Sequence, residues 1–319
     1  MKILITAAGS HLGRALAREL IQQGYEVYGM IRPSSTQKEG LPPQLNIIEC
    51  DLAEPQKLLR PELEGLSACV HLAWGDTTAA GRMDRNAQQR NADLTLEMIP
   101  VLKQLGCARL LFAGSQAEYG VTLEKIEEGK CSPARITEEA ECDPVSEYGK
   151  AKLRVLQEAS RLCRSLDMTY IHLRIFSTYG PGQRGSLVKS CLEAFSRGEQ
   201  IVLTGCAQNW NYLYVDDCAA AISELIRCVF TVSGEDASEH VVNVASEDTR
   251  CLRDFVREIR ETVGKGSYVF GGLGKNAEGT PYLNPDTEKL KQLTGFAAET
   301  EFKEGIKKYE KSQCGSSVL

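Results

Sequence analysis

From Lys2 to Ala113, short apolar runs alternate with longer stretches whose apolar residues recur at helical spacing. Lys2–Thr6 reads as a strand, Leu12–Gln23 as an amphipathic helix stopped by Gly24, and Glu26–Ile31 as the next strand. Asn46–Glu49 and Ala68–Leu72 are strand-like. A long amphipathic helix is expected from about Asn86 to Leu105, followed by a fifth strand at Arg109–Ala113. Such alternation builds a parallel sheet covered on both faces and joined by right-handed crossovers.

A polar stretch, roughly Leu123 to Ser146, precedes a helix over Glu147–Leu166 and a strand at Tyr170–Ile175. The pattern then becomes mixed: a helix near Leu187–Arg197, strands at Ile201–Thr204 and Asn211–Tyr214, and a helix at Val215–Cys228. Ser233–Glu239 reads as an acidic surface loop. Helical patterns near Leu252–Val263 and Asp286–Leu293, and a charged helix from Phe302, complete the chain. The expected fold class is α/β, a Rossmann-like doubly wound parallel sheet with a smaller C-terminal substrate-binding domain. Residues 1–175 with about 211–245 are expected to form the cofactor-binding domain. About 176–210 and 246–314 form the substrate-binding domain, and 315–319 a disordered tail.

The 319 residues leave room for one large or two modest domains with a buried core. A net charge of −6 offers no basic face to nucleic acid or anionic lipid. No apolar run approaches membrane-spanning length, and polar residues from Thr6 and then Arg14 interrupt a signal-peptide pattern, so a cytoplasmic location is expected. The twelve cysteines form no C-x-x-C pair and the four histidines are far apart, so no metal site is expected. Cysteines in apolar stretches read as small buried hydrophobes in a reducing compartment.

Between the first strand and helix lies Thr6-Ala7-Ala8-Gly9-Ser10-His11-Leu12-Gly13. Small residues at such a turn let backbone N–H groups approach a pyrophosphate, whose charge the helix N-terminus favours. Ala7 and Ser10 occupy slots where glycines are usual. The second strand ends in Ile31-Arg32-Pro33-Ser34-Ser35, without the acid that an NAD-preferring site uses on the ribose 2′-hydroxyl. Arg32 with Ser34 suits a 2′-phosphate, so NADP(H) is favoured over NAD(H).

Several further markers occur in order: Asp51-Leu52, His71-Leu72-Ala73, Asn91, Leu111-Phe112-Ala113-Gly114-Ser115 through Tyr119-Gly120, and Tyr148-Gly149-Lys150-Ala151-Lys152. Leu173-Arg174 through Tyr179-Gly180-Pro181-Gly182-Gln183 and Tyr214-Val215-Asp216-Asp217 complete the series. With the turn at Ala7–Gly13, the chain resembles the extended short-chain dehydrogenase/reductases over nearly its whole length. Within them it resembles the NAD(P)-dependent epimerase/dehydratase group that modifies nucleotide sugars. The resemblance implies that Asp51, with Leu52, contacts the adenine and that the Leu72-Ala73 turn passes beneath the ribose. Asn91 counts among the cofactor-contacting positions. It also implies a homodimer through the helices at about Asn86–Leu105 and Glu147–Leu166.

Tyr148 and Lys152 stand at i and i+4 on a helix and share one face. A phenol near pKa 10 is a poor acid–base group at neutral pH, and an adjacent ammonium brings it closer to use. The resemblance gives Ser115 a hydrogen bond to the substrate oxygen, Tyr148 the proton transfer, and Lys152 the nicotinamide ribose as well as Tyr148. The implied reaction is hydride transfer between the nicotinamide and a carbinol or keto carbon. Sugar 4,6-dehydratases of the group carry an Asp-Glu pair after the catalytic hydroxyl. Here those positions are Gln116 and Ala117, which argues against that chemistry. A nucleotide-sugar 4-ketoreductase or 4-epimerase is expected. On the substrate side Gln116, Ser177, Arg184 and Trp210 are candidates, with Ser177 and Trp210 at slots where relatives carry Asn and Arg. A reductase of another small carbonyl compound, or a non-catalytic NAD(P)-sensing or interaction module, are the alternatives.

Overall fold

The computed structural model describes residues 1–319 except 36, 37, 39, 232–238, 275–277 and 316–319. The N-terminal part runs β1 (Lys2–Thr6), α1 (His11–Gln22), β2 (Glu26–Ile31), β3 (Asn46–Glu49), β4 (Leu66–His71), α2 (Arg85–Gln104) and β5 (Arg109–Ser115). After a short helix α3 (Leu123–Glu127) come α4 (Glu147–Ser165), β6 (Thr169–Ile175), β7 (Ser177–Tyr179), α5 (Leu187–Ser196), β8 (Gln200–Leu203) and β9 (Asn209–Tyr214). The chain continues through α6 (Val215–Thr231), β10 (Glu239–Val244), β11 (Thr249–Cys251), α7 (Leu252–Val263), β12 (Ser267–Phe270), α8 (Glu288–Thr294) and α9 (Phe302–Gly315).

A seven-stranded sheet in the order β10-β6-β5-β4-β1-β2-β3 forms the centre, with every pairing parallel. Strands such as Ile3-Leu4-Ile5 are apolar without alternation because the sheet is buried on both faces. On one face α1 packs against α6, with Leu12, Leu16, Leu20 and Ile222 in the core. On the other, α2 packs against α4 around Met98, Leu102, Val155 and Phe112. The strand order reverses between β1 and β4, which opens a crevice at the carboxyl ends of the strands.

The remaining strands make two small sheets, β11-β9-β7 and β12-β8. β9 pairs with β7 and β11 rather than with the main sheet. The stretches around Val121 and Tyr282 are joined by backbone bonds, Leu123 N–H to Thr280 O at 2.8 Å and Tyr282 N–H to Val121 O at 3.1 Å. β7, β10, β11 and β12 are additional to the strands read from the pattern, each being three to six residues long with polar residues interspersed. Of the acidic stretch read as a loop, 233–238 lie outside the described residues and Glu239 opens β10. Of the expected disordered tail, Gly315 ends α9 and 316–319 lie outside the described residues.

Candidate active site

β1 ends at Thr6 and the chain turns through Ala7, whose φ of 51° is a left-handed conformation that costs a non-glycine residue. Ser10 caps α1: its Oγ accepts from Gly13 N–H at 3.0 Å, and its own N–H donates to Ala7 O at 2.9 Å. A Cβ on Gly13 would stand 2.5 Å from Ala7 O, so only glycine lets the helix lie this close to the turn. Gly9 O accepts from Arg14 Nε at 3.1 Å, and Leu12 anchors the helix in the core. The result is a tight turn of small residues feeding the positive end of a helix, a donor set that fits a pyrophosphate. His11 Nε2 lies 3.0 Å from Thr178 Oγ1 and ties the turn to β7; burial pulls its imidazole down to about 4, so it is neutral at pH 7.

The other expected cofactor positions follow the carboxyl ends of β2, β3 and β4, except Asn91, which lies within α2. Arg32 and Ser34 are exposed just beyond β2. Asp51 accepts from Ala53 N–H at 2.9 Å, and half-buried Leu52 packs on the second core. Thr6 Oγ1 accepts from the N–H groups of both Leu72 and Ala73 at 3.0 Å, which fixes their turn. With His71 neutral, as its burial and the nearby Lys152 charge require, the polar chain behind that turn runs one way. Thr6 donates to His71 Nδ1 at 3.0 Å, His71 Nε2–H to Thr95 at 3.2 Å, and Thr95 to Asn91 O at 2.8 Å. The Asn91 amide pairs with the N–H and the carbonyl of Gly75 at 3.1 Å each. It braces the loop after β4.

A cleft of about 920 Å³ opens beside this crevice. Ser115, Gln116, Tyr148, Lys152, Ser177 and Trp210 all line it, as does Leu72. Arg184 does not: it is exposed and outside the lining. Ser115 sits at the carboxyl end of β5, its Oγ accepting from Ala117 N–H at 3.2 Å and its N–H donating to Glu118 at 2.7 Å. Tyr148 and Lys152 come from the first turns of α4, whose N-cap Ser146 accepts from Gly149 N–H at 3.2 Å. Lys152 is buried; its Nζ donates to Ala113 O at 2.6 Å and lies 3.7 Å from the centre of the Trp74 ring. Burial pulls its amine down to about 7, against the pull of Glu118 and with a contribution from Arg82.

The charge beside the phenol differs from the expected one. Lys152 Nζ is 5.6 Å from the Tyr148 ring centre, whereas the Arg82 guanidinium lies over that ring at 4.2 Å. Burial pushes the Tyr148 phenol up; Arg82 and the Ser115 hydroxyl pull it back, and Glu118 and Glu278 push it up. Arg82 is held by both oxygens of Glu278, from Nε and from Nη2, the latter at 2.7 Å. Its backbone is held by buried Gln88, whose amide donates to Asp76 O and Gly81 O at 2.9 Å each and accepts from Trp74 Nε1 at 2.7 Å.

Arg82, Glu278, Trp74 and Gln88 escape a sequence reading. Arg82 lies in a polar stretch without periodicity, and only the fold brings Glu278 to it. Glu118 had a visible signal, since Ser115 and Glu118 form a capping box of the S-x-x-E type. Its carboxylate is fully buried and turned away from the cleft, meeting His172 Nε2 at 2.9 Å and Arg174 Nε at 3.0 Å. Gly114 makes room for this cluster, because a Cβ there would stand 2.2 Å from His172 Nε2. Among the described residues no group of His, Cys, Asp and Glu could hold a metal, and no helix is long and apolar enough to cross a membrane.

Known proteins of similar sequence and fold can be set against this geometry. The UDP-glucose 4-epimerase of Corynebacterium glutamicum is 23% identical, covering 94% of this chain and 91% of its own. The dTDP-6-deoxy-L-talose 4-dehydrogenase (NAD(P)(+)) of Kitasatospora kifunensis is 22% identical, covering 99% and 97%. The crystal structure of the UDP-glucuronic acid 4-epimerase from Bacillus cereus, in complex with UDP-glucuronic acid and NAD, superposes with a TM-score of 0.82. It shares 19% identity and covers 99% of this chain and 100% of its own. Residues 3–245 match the NAD dependent epimerase/dehydratase family, and the chain belongs to that family.

Proposed function

We propose that the protein is an NAD(P)-dependent oxidoreductase acting at C4 of a nucleotide sugar, as a 4-ketoreductase or a 4-epimerase, with Ser115, Tyr148 and Lys152 as its catalytic trio. The observation that carries this reading is the convergence of the three side chains on one cleft at the carboxyl ends of the strands. Its volume of about 920 Å³ suits a small-molecule pocket, for which about 300–1,000 Å³ is usual. Bound in the crevice, a nicotinamide would supply hydride exchange with a carbinol or keto carbon. Ser115 Oγ holds the reacting oxygen. Tyr148 Oη gives that oxygen a proton in reduction and takes it back in oxidation. Lys152, withdrawn from water beneath Trp74, orients the nicotinamide ribose.

NADP(H) is the favoured cofactor in this reading, because Arg32 and Ser34, exposed just beyond β2, carry donors suited to a 2′-phosphate. Ala7, Gly9, Ser10, His11, Leu12 and Gly13 cradle the pyrophosphate, and Asp51, Leu52, Leu72 and Ala73 line the adenosine side. Gln116, Ser177 and Trp210 contact the sugar nucleotide, and Arg184 stays outside that set. Residues 1–175 with about 211–245 hold the cofactor, while 176–210 and 246–314 hold the substrate. A homodimer through α2 and α4 in the cytoplasm goes with it. Water elimination at C5–C6 is left out, since Gln116 and Ala117 offer no carboxylate pair.

The test is to incubate purified protein with NADPH and a nucleotide-linked 4-keto sugar, and separately with nucleotide-linked 4-epimers. Stoichiometric NADPH consumption marks a ketoreductase; epimer interconversion without net cofactor change marks an epimerase. NADPH oxidation with simple ketones alone moves the substrate class. No binding of any nicotinamide dinucleotide by calorimetry overturns the reading and leaves a non-catalytic module.

A further inference from the structure

We propose that Arg82 is a positioning residue for the proton transfer: its guanidinium, lying over the Tyr148 ring and clasped by Glu278, holds the phenol and balances the negative charge formed when the proton leaves. The inference rests on Tyr148 being the proton donor of the proposed reaction. Both partners of the clasp are anchored. Arg82 sits on a short turn (Gly81–Met83) whose carbonyl at Gly81 accepts from buried Gln88 at 2.9 Å. Glu278 is two residues from Thr280, whose N–H and hydroxyl both donate to the Glu124 carboxylate at 3.0 and 2.8 Å. The two-point hold on Arg82 fixes the plane of the guanidinium, which a single contact would not. A planar cation about 4.2 Å from the ring centre is within the range where the ring and the charge attract.

Arg82, the Ser115 hydroxyl, Glu278 and the buried Glu118 act on the phenol, and Lys152 Nζ lies 5.6 Å from its ring centre. Of the two cations, Lys152 is bound to Ala113 O and covered by Trp74, and it lies farther from the ring. Arg82 cannot lose its proton at any working pH, so its charge is constant where that of Lys152, near 7, is not. Glu278 sets how much of that charge reaches the phenol. It positions Arg82 and also pushes the phenol up directly.

The experiment compares R82M, R82K, E278Q and the double variant R82M/E278Q with the wild-type protein. The pH profile of turnover and the affinity for NADPH are measured for each. Expected in R82M is a loss of turnover of about ten-fold or more near neutral pH with NADPH affinity unchanged, and a Tyr148 limb moved upward by about one pH unit. The double variant still moves the limb upward, by less than R82M, so the bared Glu278 charge is not the whole cause, while R82K restores part of the loss and E278Q moves the limb downward. A limb unmoved in R82M, with only KM altered, overturns the proposal while leaving Tyr148 as the proton donor. The ring-carbon NMR signal of Tyr148, assigned with Y148F in protein carrying [¹³Cζ]tyrosine, needs no substrate. It titrates at higher pH in R82M than in wild type; equal midpoints overturn the proposal even if the reaction itself is misassigned.

Discussion

Replacing Glu118 by Gln removes one negative charge from the buried cluster behind Ser115 and leaves its shape intact. The carboxylate meets His172, Arg174 and the Ser115 N–H, with no exposure to solvent. Arg174 is itself buried, so the variant leaves its cation without a carboxylate partner, with Glu138 O at 2.9 Å, Cys142 and the face of Tyr119 still beside it. Removing one partner of a buried ion pair typically costs about 3–5 kcal/mol. Gln keeps an acceptor for Ser115 or Arg174, which places the expected loss near the lower end, about 3 kcal/mol. Burial opposes the charged form of Glu118, but His172, Arg174 and the Ser115 N–H outweigh it and hold the carboxyl below its ordinary value of 4.5. A depressed carboxylate contributes stability that is full above 4.5 and lost as pH falls through the lower folded-state value. The deficit of E118Q is therefore full at pH 7 and shrinks at acid pH as the wild type protonates. Urea unfolding at pH 7 and at progressively lower pH reads both effects. A deficit under about 1 kcal/mol at pH 7, or one that grows as pH falls, refutes the argument.

Two further changes address the cofactor side. Arg32→Ala should weaken NADPH binding by about ten-fold or more through loss of a charge-assisted phosphate contact, with NADH affinity nearly unchanged; calorimetry with both cofactors decides, and parallel losses would remove Arg32 from the 2′ position. His11, held near 4 by burial between α1 and β7, costs the folded state stability as pH falls from 6.5 toward 4, because the unfolded chain takes up that proton first. His11→Gln should flatten the acid side of the stability profile in that window, and an unchanged slope would show that His11 is not its source.

Much of the fold was legible where the hydrophobic pattern was long and two-sided. β1 and β2 fall where the apolar runs end, and α7 covers Leu252–Val263 as its period requires. What the pattern missed is short: β7 and β11 are three residues each, and β12 leaves Val269 exposed, so neither run nor alternation marks them. β10 opens with Glu239 and His240, and its apolar part is only Val241-Val242 and Val244, broken by Asn243. At the site, Tyr148 and Lys152 could be read because their spacing is local. Asn91 could be picked out, but not that its amide would pair with both backbone groups of Gly75. Arg82, after β4, and Glu278, almost two hundred residues later, meet only through the tertiary fold. A contact of that range leaves no periodic trace in either stretch.

The most direct test of a proton-transferring phenol in this cleft is Tyr148→Phe, assayed for dinucleotide binding and for turnover together. Removing Oη leaves the ring under Arg82 and beside Trp74, so binding of NADPH should stay within a few-fold of wild type. Turnover should fall by at least ~10²-fold, the scale at which a positioned acid–base group contributes. A variant that binds cofactor and turns over at near wild-type rate would contradict the account at its centre.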